Sequence, residues 1–326
     1  AIAVSIGGML SGIFVLPGLA VGITGSSVWL AFLVAALCIL PAVLSKSELG
    51  TAMPKSGGTY VYIERAFGPL FGTIAGIGLW LSLLLKSAFS LVGLSAYLYV
   101  VVNIDEAYTE AIALLALFLI FLLNVFGLKK VEKTQLFIVS TSIISLIVII
   151  ALGFSSFDTK LTEPVFTDGS NGFIAGVAFL YISYAGVTKI AAVAGEIKNP
   201  EKNLPRTMII SLFLITSVYV FVALVLVGNV DAGVLSTDIK PIHTLFLSVG
   251  GKYFGYFAAV VGVVTLMSMA NSGVLASSRF PFAMAKDKMM PQYLGLVNSR
   301  FMTPVFAIIT TSLLIGFAIL FLDVVK

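Results

Sequence analysis

The chain contains nine hydrophobic segments, and their lengths constrain the fold more than any other feature. A helix that crosses the hydrocarbon core of a bilayer needs about 20 mostly apolar residues. Only 10% of the residues are charged, against about 25% in soluble domains. The sequence therefore predicts an all-α polytopic membrane protein, with one transmembrane domain over 1–326. Its expected spans are 2–23, 27–50, 69–102, 107–127, 134–155, 173–195, 206–229, 253–280 and 303–325.

The positive charges indicate how these segments are oriented. Of the 19 Lys and Arg residues, 13 lie in or beside the loops that follow the second, fourth, sixth and eighth segments, and four lie on the other side. Cytoplasmic loops carry the excess of basic residues in membrane proteins. We therefore expect a multi-pass protein of the cell membrane with a cytoplasmic N-terminus. The sequence begins with Ala1 and lacks an initiator Met, which suggests that the natural chain begins earlier.

Several classes of function have no support in the residues. The basic residues flank the membrane, which argues against a nucleic-acid partner. One His and one Cys, Cys38, give no metal-ligand spacing and allow no disulfide within the chain, so no cofactor is expected. The sequence has no HExxH motif, no nucleophile elbow and no pair of membrane-embedded aspartates, which argues against an enzyme. The oligomeric state is left open.

The first segment has an unusual stretch, Gly7–Gly18, with four glycines, a serine and a proline in twelve positions. Glycine and proline weaken a helix, and in lipid every backbone polar group needs a partner inside the protein. One interpretation is an interrupted helix whose free N–H and C=O groups face a ligand. The alternative is a glycine-rich face that lets two helices approach closely.

The sixth segment has a similar stretch at 179–189, with small and polar residues at mid-membrane. The two stretches lie five segments apart, and a repeat with an odd number of spans places the two halves in opposite orientations. Interrupted segments at corresponding positions of inverted repeats point to a transport site. We therefore predict a first repeat over 1–155 and a second, incomplete repeat over 173–326, with helices 1 and 6 broken.

Four motifs give the chain a specific resemblance. The segment-1 motif is similar to the G-x-G-I-F signature of the amino acid–polyamine–organocation permeases, although Leu10 stands where that signature usually opens with Gly. The other three resemble the family's P-x-x-G-G-x-Y loop, its E-x-x-N-P-x-x-N-x-P-R run and its eighth helix. In order, the four are Ser11–Phe14 with Pro17, Pro54–Tyr60, Glu196–Arg206 and Asn271–Asp287.

This resemblance implies a fold and a function. The fold is the leucine-transporter type, a 5+5 inverted repeat, usually within twelve helices, so further helices are expected after the ninth. The function is secondary active transport of amino acids, neutral ones in particular, by alternating access, with cation or proton coupling or with exchange. The alternatives are a polyamine or organic-cation permease and a non-transporting amino acid sensor of the same fold.

The resemblance also implies a substrate site made mostly of main chain. Helix N-termini suit a carboxylate and helix C-termini suit an ammonium group. The carboxylate is assigned to the N–H groups of Ser11, Gly12 and Ile13. The ammonium is assigned to carbonyls near Gly8 and Met9 in the first segment, and near Tyr181, Ser183 and Tyr184 in the sixth. Ala185 and Gly186 are expected to shape the side-chain pocket, and Tyr184 is either an aromatic gate or a packing residue.

Three further residues are candidates for ion coupling. Lys86 lies within the third span, where an ionisable group is a functional hypothesis by default; it is either a mobile charge or a structural lysine that caps carbonyls. Many proton-linked members of the family have a lysine on the fifth helix at the position that aligns with Ser142. With Ser268 as the expected partner of Ser142, two hydroxyls suit a sodium ion, and uptake is expected to depend on sodium and on Ser268. Na⁺ and H⁺ both remain candidates.

Overall fold

A computed structural model of the chain describes residues 2–53, 57–102, 106–126, 131–163, 165–166, 169–192, 197 and 199–321. Within these ranges the side chains of residues 3, 4, 106, 131–134, 188, 189 and 192 are not described. The described part of the chain is built from helices, turns and loops, which confirms the all-α prediction.

The α-helices follow the predicted segments closely. By length and composition, seven stretches could cross a membrane, and the first of these, Ser5–Ala52, holds two of the helices. The helices are α1 Ile2–Thr24, α2 Val28–Ala52, α3 Thr59–Phe67, α4 Pro69–Val102, α5 Thr109–Phe126, α6 Val131–Gly153, α7 Gly169–Tyr181, α8 Lys189–Ala192, α9 Pro200–Val227, α10 Ala232–Leu235, α11 Pro241–Lys286 and α12 Val305–Phe321.

The predicted break in segment 1 is wrong for this structure, because α1 is one continuous α-helix through Gly12 and Pro17. Its glycines allow close contact with neighbouring segments instead. A Cβ added at Gly18 would lie 2.0 Å from the carbonyl oxygen of Asp238, in the loop between α10 and α11. The packing alternative therefore explains these glycines here.

Segment 6 is interrupted, as predicted. Its α-helix ends at Tyr181, and Ile182–Thr188 forms a 3-10 helix before α8 begins. Runs of 3-10 helix longer than three or four residues are uncommon, and inside a longer helix they often mark a hinge. The site of this change in helix type lies against α1.

The core lies where α1, α2, α9 and α11 meet, with α4 packed along α11. The residues of α1 that face this core, Met9, Leu10, Ile13 and Phe14, are fully buried. Large apolar side chains are exposed on the outside of the bundle, including Phe213 and Leu313. This distribution suits a protein whose outer surface contacts lipid.

Short elements cover the two ends of the bundle. The short helix α3 follows the loop motif at one end, and Tyr60 on it donates a hydrogen bond to Oδ2 of Asp287 at 3.1 Å, just after α11. Burial and then the charge of Asp287 raise the pKa of the Tyr60 phenol, which keeps it a donor. At the opposite end, α11 has a kink at Gly251 (φ 74°) that separates 241–250 from the long membrane helix.

The close approach of α1 to the 3-10 segment can be tested with one pair of alanine variants. A Cβ at Gly186 would lie 2.3 Å from the Gly8 carbonyl oxygen, whereas a Cβ at Gly78 on α4 would meet nothing within 4 Å. Overpacking of this kind costs about 1–3 kcal/mol, and alanine in an exposed helix is favoured over glycine by about 1 kcal/mol.

We therefore expect Gly186→Ala to lower the thermal unfolding midpoint of the purified protein in detergent. Gly78→Ala serves as the control and should leave the midpoint unchanged or raise it. Equal midpoints for the two variants would show that the backbones do not touch at Gly186.

Candidate functional site

The centre of the candidate site is the contact between the backbones of α1 and the 3-10 segment. A Cβ at Gly186 would lie 2.3 Å from the Gly8 oxygen and 2.7 Å from the Met9 nitrogen. The two stretches that the sequence singled out therefore meet, and Gly8, Met9 and Gly186 come together as predicted. Glycine at position 186 is what permits this contact, because any side chain would collide with main-chain atoms.

One turn further along α1, Gly12 faces two hydroxyl groups. A Cβ at Gly12 would lie 2.8 Å from Ser183 Cβ and 2.9 Å from the hydroxyl oxygens of both Ser183 and Tyr219. Ser183 is completely buried, and its hydroxyl has no hydrogen-bond partner among the described residues. A buried hydroxyl without a partner is costly, so Ser183 is poised to bond an additional group.

The carboxylate site expected at Ser11, Gly12 and Ile13 is not open in this structure. These residues lie inside the continuous helix α1, where their N–H groups are engaged in the helical pattern. Ser11 is 5% exposed and Ile13 is fully buried. The N–H groups expected to bind the carboxylate are therefore engaged in hydrogen bonds within α1 in this structure.

Of the two roles predicted for Tyr184, gate or packing residue, its contacts in this structure are those of a packing residue. It is fully buried, and its hydroxyl donates to the carbonyl oxygen of Phe32 on α2 at 3.0 Å. Its ring lies 5.3 Å from that of Tyr219, and Phe32 lies 4.9 Å from Tyr219, centroid to centroid. Tyr181, at the end of α7, is 39% exposed. Phe32, Tyr184 and Tyr219 therefore form a packed aromatic cluster beside the candidate site.

Lys86 on α4 reaches the 3-10 segment and caps its carbonyl groups. Its Nζ donates to the oxygens of Ile182 at 2.9 Å and Ser183 at 3.2 Å. These carbonyls lie at the point where the α-helix gives way to the 3-10 helix and the hydrogen-bond pattern changes. In this structure Lys86 therefore has the structural role of capping carbonyls, and these bonds bring it into the candidate site next to Ser183.

The Ser142 hydroxyl pairs with the hydroxyl of Thr265, whereas Ser268 was the expected partner. The two hydroxyl oxygens lie 2.5 Å apart, between α6 and α11. Each hydroxyl also lies within hydrogen-bond distance of a carbonyl four residues back, Ile138 at 2.8 Å and Val261 at 2.7 Å. The two hydroxyl groups have two protons between them for these three oxygen–oxygen contacts. One contact therefore has no proton, and oxygen lone pairs are in excess. Ser268 lies three residues beyond Thr265 on α11.

Sequence reasoning also missed a set of buried polar contacts around α1. Tyr219 Oη on α9 donates to the Met9 carbonyl, and Tyr97 Oη on α4 donates to the Phe14 carbonyl at 2.5 Å. Both tyrosines are fully buried. Their spacing in the sequence gives no signal, because neither lies in a motif and each acts from a helix distant in sequence from α1.

Two amide side chains extend this polar network between helices. Gln135 on α6 donates to Ser272 Oγ at 2.7 Å, and a Cβ at Gly7 would lie 3.0 Å from the Gln135 nitrogen. Asn124 on α5 donates to Asn271 Oδ1 at 2.7 Å. These contacts connect α1, α5 and α6 to α11, within which Asn271 and Ser272 are adjacent.

Some predicted features fall outside the described residues. Pro54, Lys55 and Ser56 of the loop motif are among them, as are Glu196 and Lys198 of the motif after segment 6. Within the described ranges, no group of three or more His, Cys, Asp or Glu residues is placed to hold a metal ion.

Comparison with known proteins identifies similar transporters. The serine/threonine exchanger SteT of Bacillus subtilis (strain 168) is 29% identical over 312 residues, which cover 91% of this chain and 70% of SteT. The branched-chain amino acid permease BcaP of the same organism is 27% identical, with 90% of this chain and 67% of BcaP covered. Cationic amino acid transporter 3, mitochondrial, of Arabidopsis thaliana is 26% identical, with 99% and 57% covered. The chain thus spans between 57% and 70% of the length of these three relatives.

The sequence profile of a permease family matches almost the whole chain. Its description is "Amino acid permease", and the match covers residues 1–325. The motifs in α1, before α9 and in α11 lie within this range, as do the contacts of the candidate site. The chain therefore belongs to the amino acid permease family.

Proposed function

We propose that the protein is a secondary active transporter of neutral amino acids that works by alternating access. The observation that carries this proposal is the contact of Gly8 and Met9 with Gly186, where segment 6 changes from α-helix to 3-10 helix. Main-chain N–H and C=O groups there supply both signs of partial charge that a zwitterion needs. Membership of the permease family supports an amino acid as the substrate.

The charges around the site favour neutral over cationic substrates. The stretches 7–14 and 181–187 contain no Asp or Glu that would pair with a cationic side chain. Lys86 already places one ammonium group on the carbonyls of Ile182 and Ser183. A polyamine or other organic cation is therefore the less suitable substrate, although one relative is named as a cationic amino acid transporter.

Coupling to sodium is proposed at the pair of hydroxyls formed by Ser142 and Thr265. Neutral oxygen ligands suit a hard cation of low charge, and the lone pairs in excess at this pair are available to one. Proton coupling and exchange are the competing modes, and exchange is the activity that the name of SteT states.

Alternating access requires that each end of the bundle opens in turn. In this structure both ends are covered, by the contact between Tyr60 and Asp287 at one end and by the loop at Asp238 against Gly18 at the other. We propose that the N-terminus and the Tyr60 end are cytoplasmic, because the basic loops lie on that side. The structure then corresponds to a closed state between the two open ones.

A counterflow experiment in proteoliposomes tests the proposed function. Vesicles loaded with unlabelled L-serine or L-leucine should accumulate the same labelled amino acid from outside, because an exchanging carrier returns loaded in both directions. L-arginine and putrescine should compete poorly. Binding of the labelled amino acid without any counterflow would contradict transport and support the sensor.

The role of Lys86 is tested by removing its donors at nearly constant length. Lys86→Met leaves the carbonyls of Ile182 and Ser183 without this donor, and for the fully buried Ser183 the cost is about 1–3 kcal/mol. We expect lower counterflow and a lower unfolding midpoint, with Lys86→Arg intermediate. Lys252→Met, at an exposed position, is the control and should match the wild type. Wild-type behaviour of Lys86→Met would contradict the capping role.

Sodium coupling is tested at Thr265, where valine keeps the shape and removes the hydroxyl. Uptake should rise with sodium in the wild type, and this rise should be lost in Thr265→Val and kept in Ser268→Ala. Thr310→Val removes a hydroxyl that donates to the Phe306 carbonyl four residues back on α12, so it controls for helix effects. Equal wild-type uptake with and without sodium would rule out this coupling.

A further inference from the structure

The Met9 carbonyl has two hydrogen-bond donors in this structure. Because α1 is a continuous α-helix, the N–H of Ile13 is the donor that the helical pattern gives it. The second donor is the hydroxyl of Tyr219, which reaches it from α9. A carbonyl oxygen has two lone pairs and accepts both. This carbonyl can therefore lose its helical donor and still be partnered.

Tyr219 is held so that its hydroxyl stays at this position. The side chain is fully buried, and its ring packs against Phe32 and Tyr184 at centroid distances of 4.9 and 5.3 Å. Its hydroxyl lies 2.9 Å from where a Cβ of Gly12 would be. Only glycine at position 12 leaves room for the phenol, so the two residues fit each other at the centre of α1.

We propose that Tyr219 is a positioning residue for substrate binding, which keeps the Met9 carbonyl partnered while the N–H of Ile13 is transferred to the substrate carboxylate. This inference rests on the proposed function and explains how a continuous helix opens. The Ile13 N–H breaks its bond to Met9 and forms one to the carboxylate, and the Met9 oxygen keeps the bond from Tyr219. Each of the three protein groups then still has a partner, although the Met9 oxygen goes from two donors to one.

The surroundings explain why such a partner is needed. Met9, Ile13 and Ser183 are fully buried, so water does not replace a donor that the Met9 carbonyl loses. A buried carbonyl without a partner costs free energy comparable to a lost hydrogen bond. The partnerless hydroxyl of Ser183, which also faces Gly12, supplies a second donor for a carboxylate at the same place.

The variant Tyr219→Phe removes the hydroxyl and keeps the ring. We expect it to weaken binding of L-serine or L-leucine about tenfold, the effect of losing one hydrogen bond of ordinary strength. Its unfolding midpoint without substrate should change little, because Ile13 still donates to Met9 in the continuous helix. Tyr62→Phe is the matched control, since the buried Tyr62 hydroxyl has no partner among the described residues, and it should bind as the wild type does.

A spectroscopic measurement reports on the Met9 carbonyl itself. Met9-Leu10 is the only Met-Leu step in the sequence, so labelling Met carbonyls with ¹³C and Leu nitrogens with ¹⁵N gives one unique NMR cross peak. In the wild type this carbonyl resonance should stay at its hydrogen-bonded position when substrate saturates the protein. In Tyr219→Phe it should move to the position of a carbonyl without a donor.

The outcomes separate the inference from the function on which it rests. A wild-type protein that binds and exchanges no amino acid overturns both. A wild-type protein that exchanges amino acids, with unchanged affinity and an unshifted carbonyl resonance in Tyr219→Phe, overturns only the role of Tyr219. A lowered midpoint in Tyr219→Phe with unchanged affinity also overturns it, because that result indicates a purely structural contact.

Discussion

The structure depends on one constraint, which is that main-chain polar groups within a membrane must find partners inside the protein. A binding site made of main chain conflicts with this constraint, because its N–H and C=O groups must be free for a ligand and yet satisfied without one. In this chain, side-chain donors from neighbouring helices form hydrogen bonds with the carbonyl groups of these segments. Lys86 donates to Ile182 and Ser183, Tyr219 to Met9, and Tyr97 to Phe14.

These donors connect the fold to the proposed transport cycle. Helices α4 and α9 supply them. Helix α9 packs against both segments that form the site, and α4 reaches the same segments through Lys86 and Tyr97. Each donor bonds a carbonyl near a place where the helix is weak, either at the 3-10 segment or beside the glycines of α1. In the proposed cycle, the site changes between helical and ligand-bound states without exposing main chain to lipid. Glycine at 186 lets the two backbones come close, and glycine at 12 leaves room for the side chains of Ser183 and Tyr219.

The sequence predicted much of the fold because length and hydrophobicity determine membrane helices strongly. The spans and the interruption of segment 6 after Tyr181 were predicted from local residues. The continuity of α1 was not predicted, because glycine permits both an interrupted helix and close packing between helices. Tertiary contacts with Ser183, Tyr219 and Asp238 decide between them, and these residues are more than 170 positions away.

The same reasoning explains which site residues were missed. Gly8, Met9 and Gly186 were included in the predicted site because segments 1 and 6 have similar glycine-containing stretches at corresponding positions. Thr265, Tyr219 and Tyr97 carry no motif, and only the packing of distant helices brings them to Ser142, Met9 and Phe14. A hydroxyl on a membrane helix commonly bonds to its own backbone, so its type alone does not reveal a second partner across an interface.

The central claim is that main chain from two helices binds both ends of a zwitterion. Titration calorimetry of the purified protein with L-serine, L-serinamide and ethanolamine tests it most directly, with L-leucine, L-leucinamide and isoamylamine as a second set. The account predicts binding of the amino acid alone in at least one set, because the amide lacks the carboxylate charge and the amine lacks the carboxylate altogether. An amine or amide that binds as tightly as its parent amino acid would contradict it.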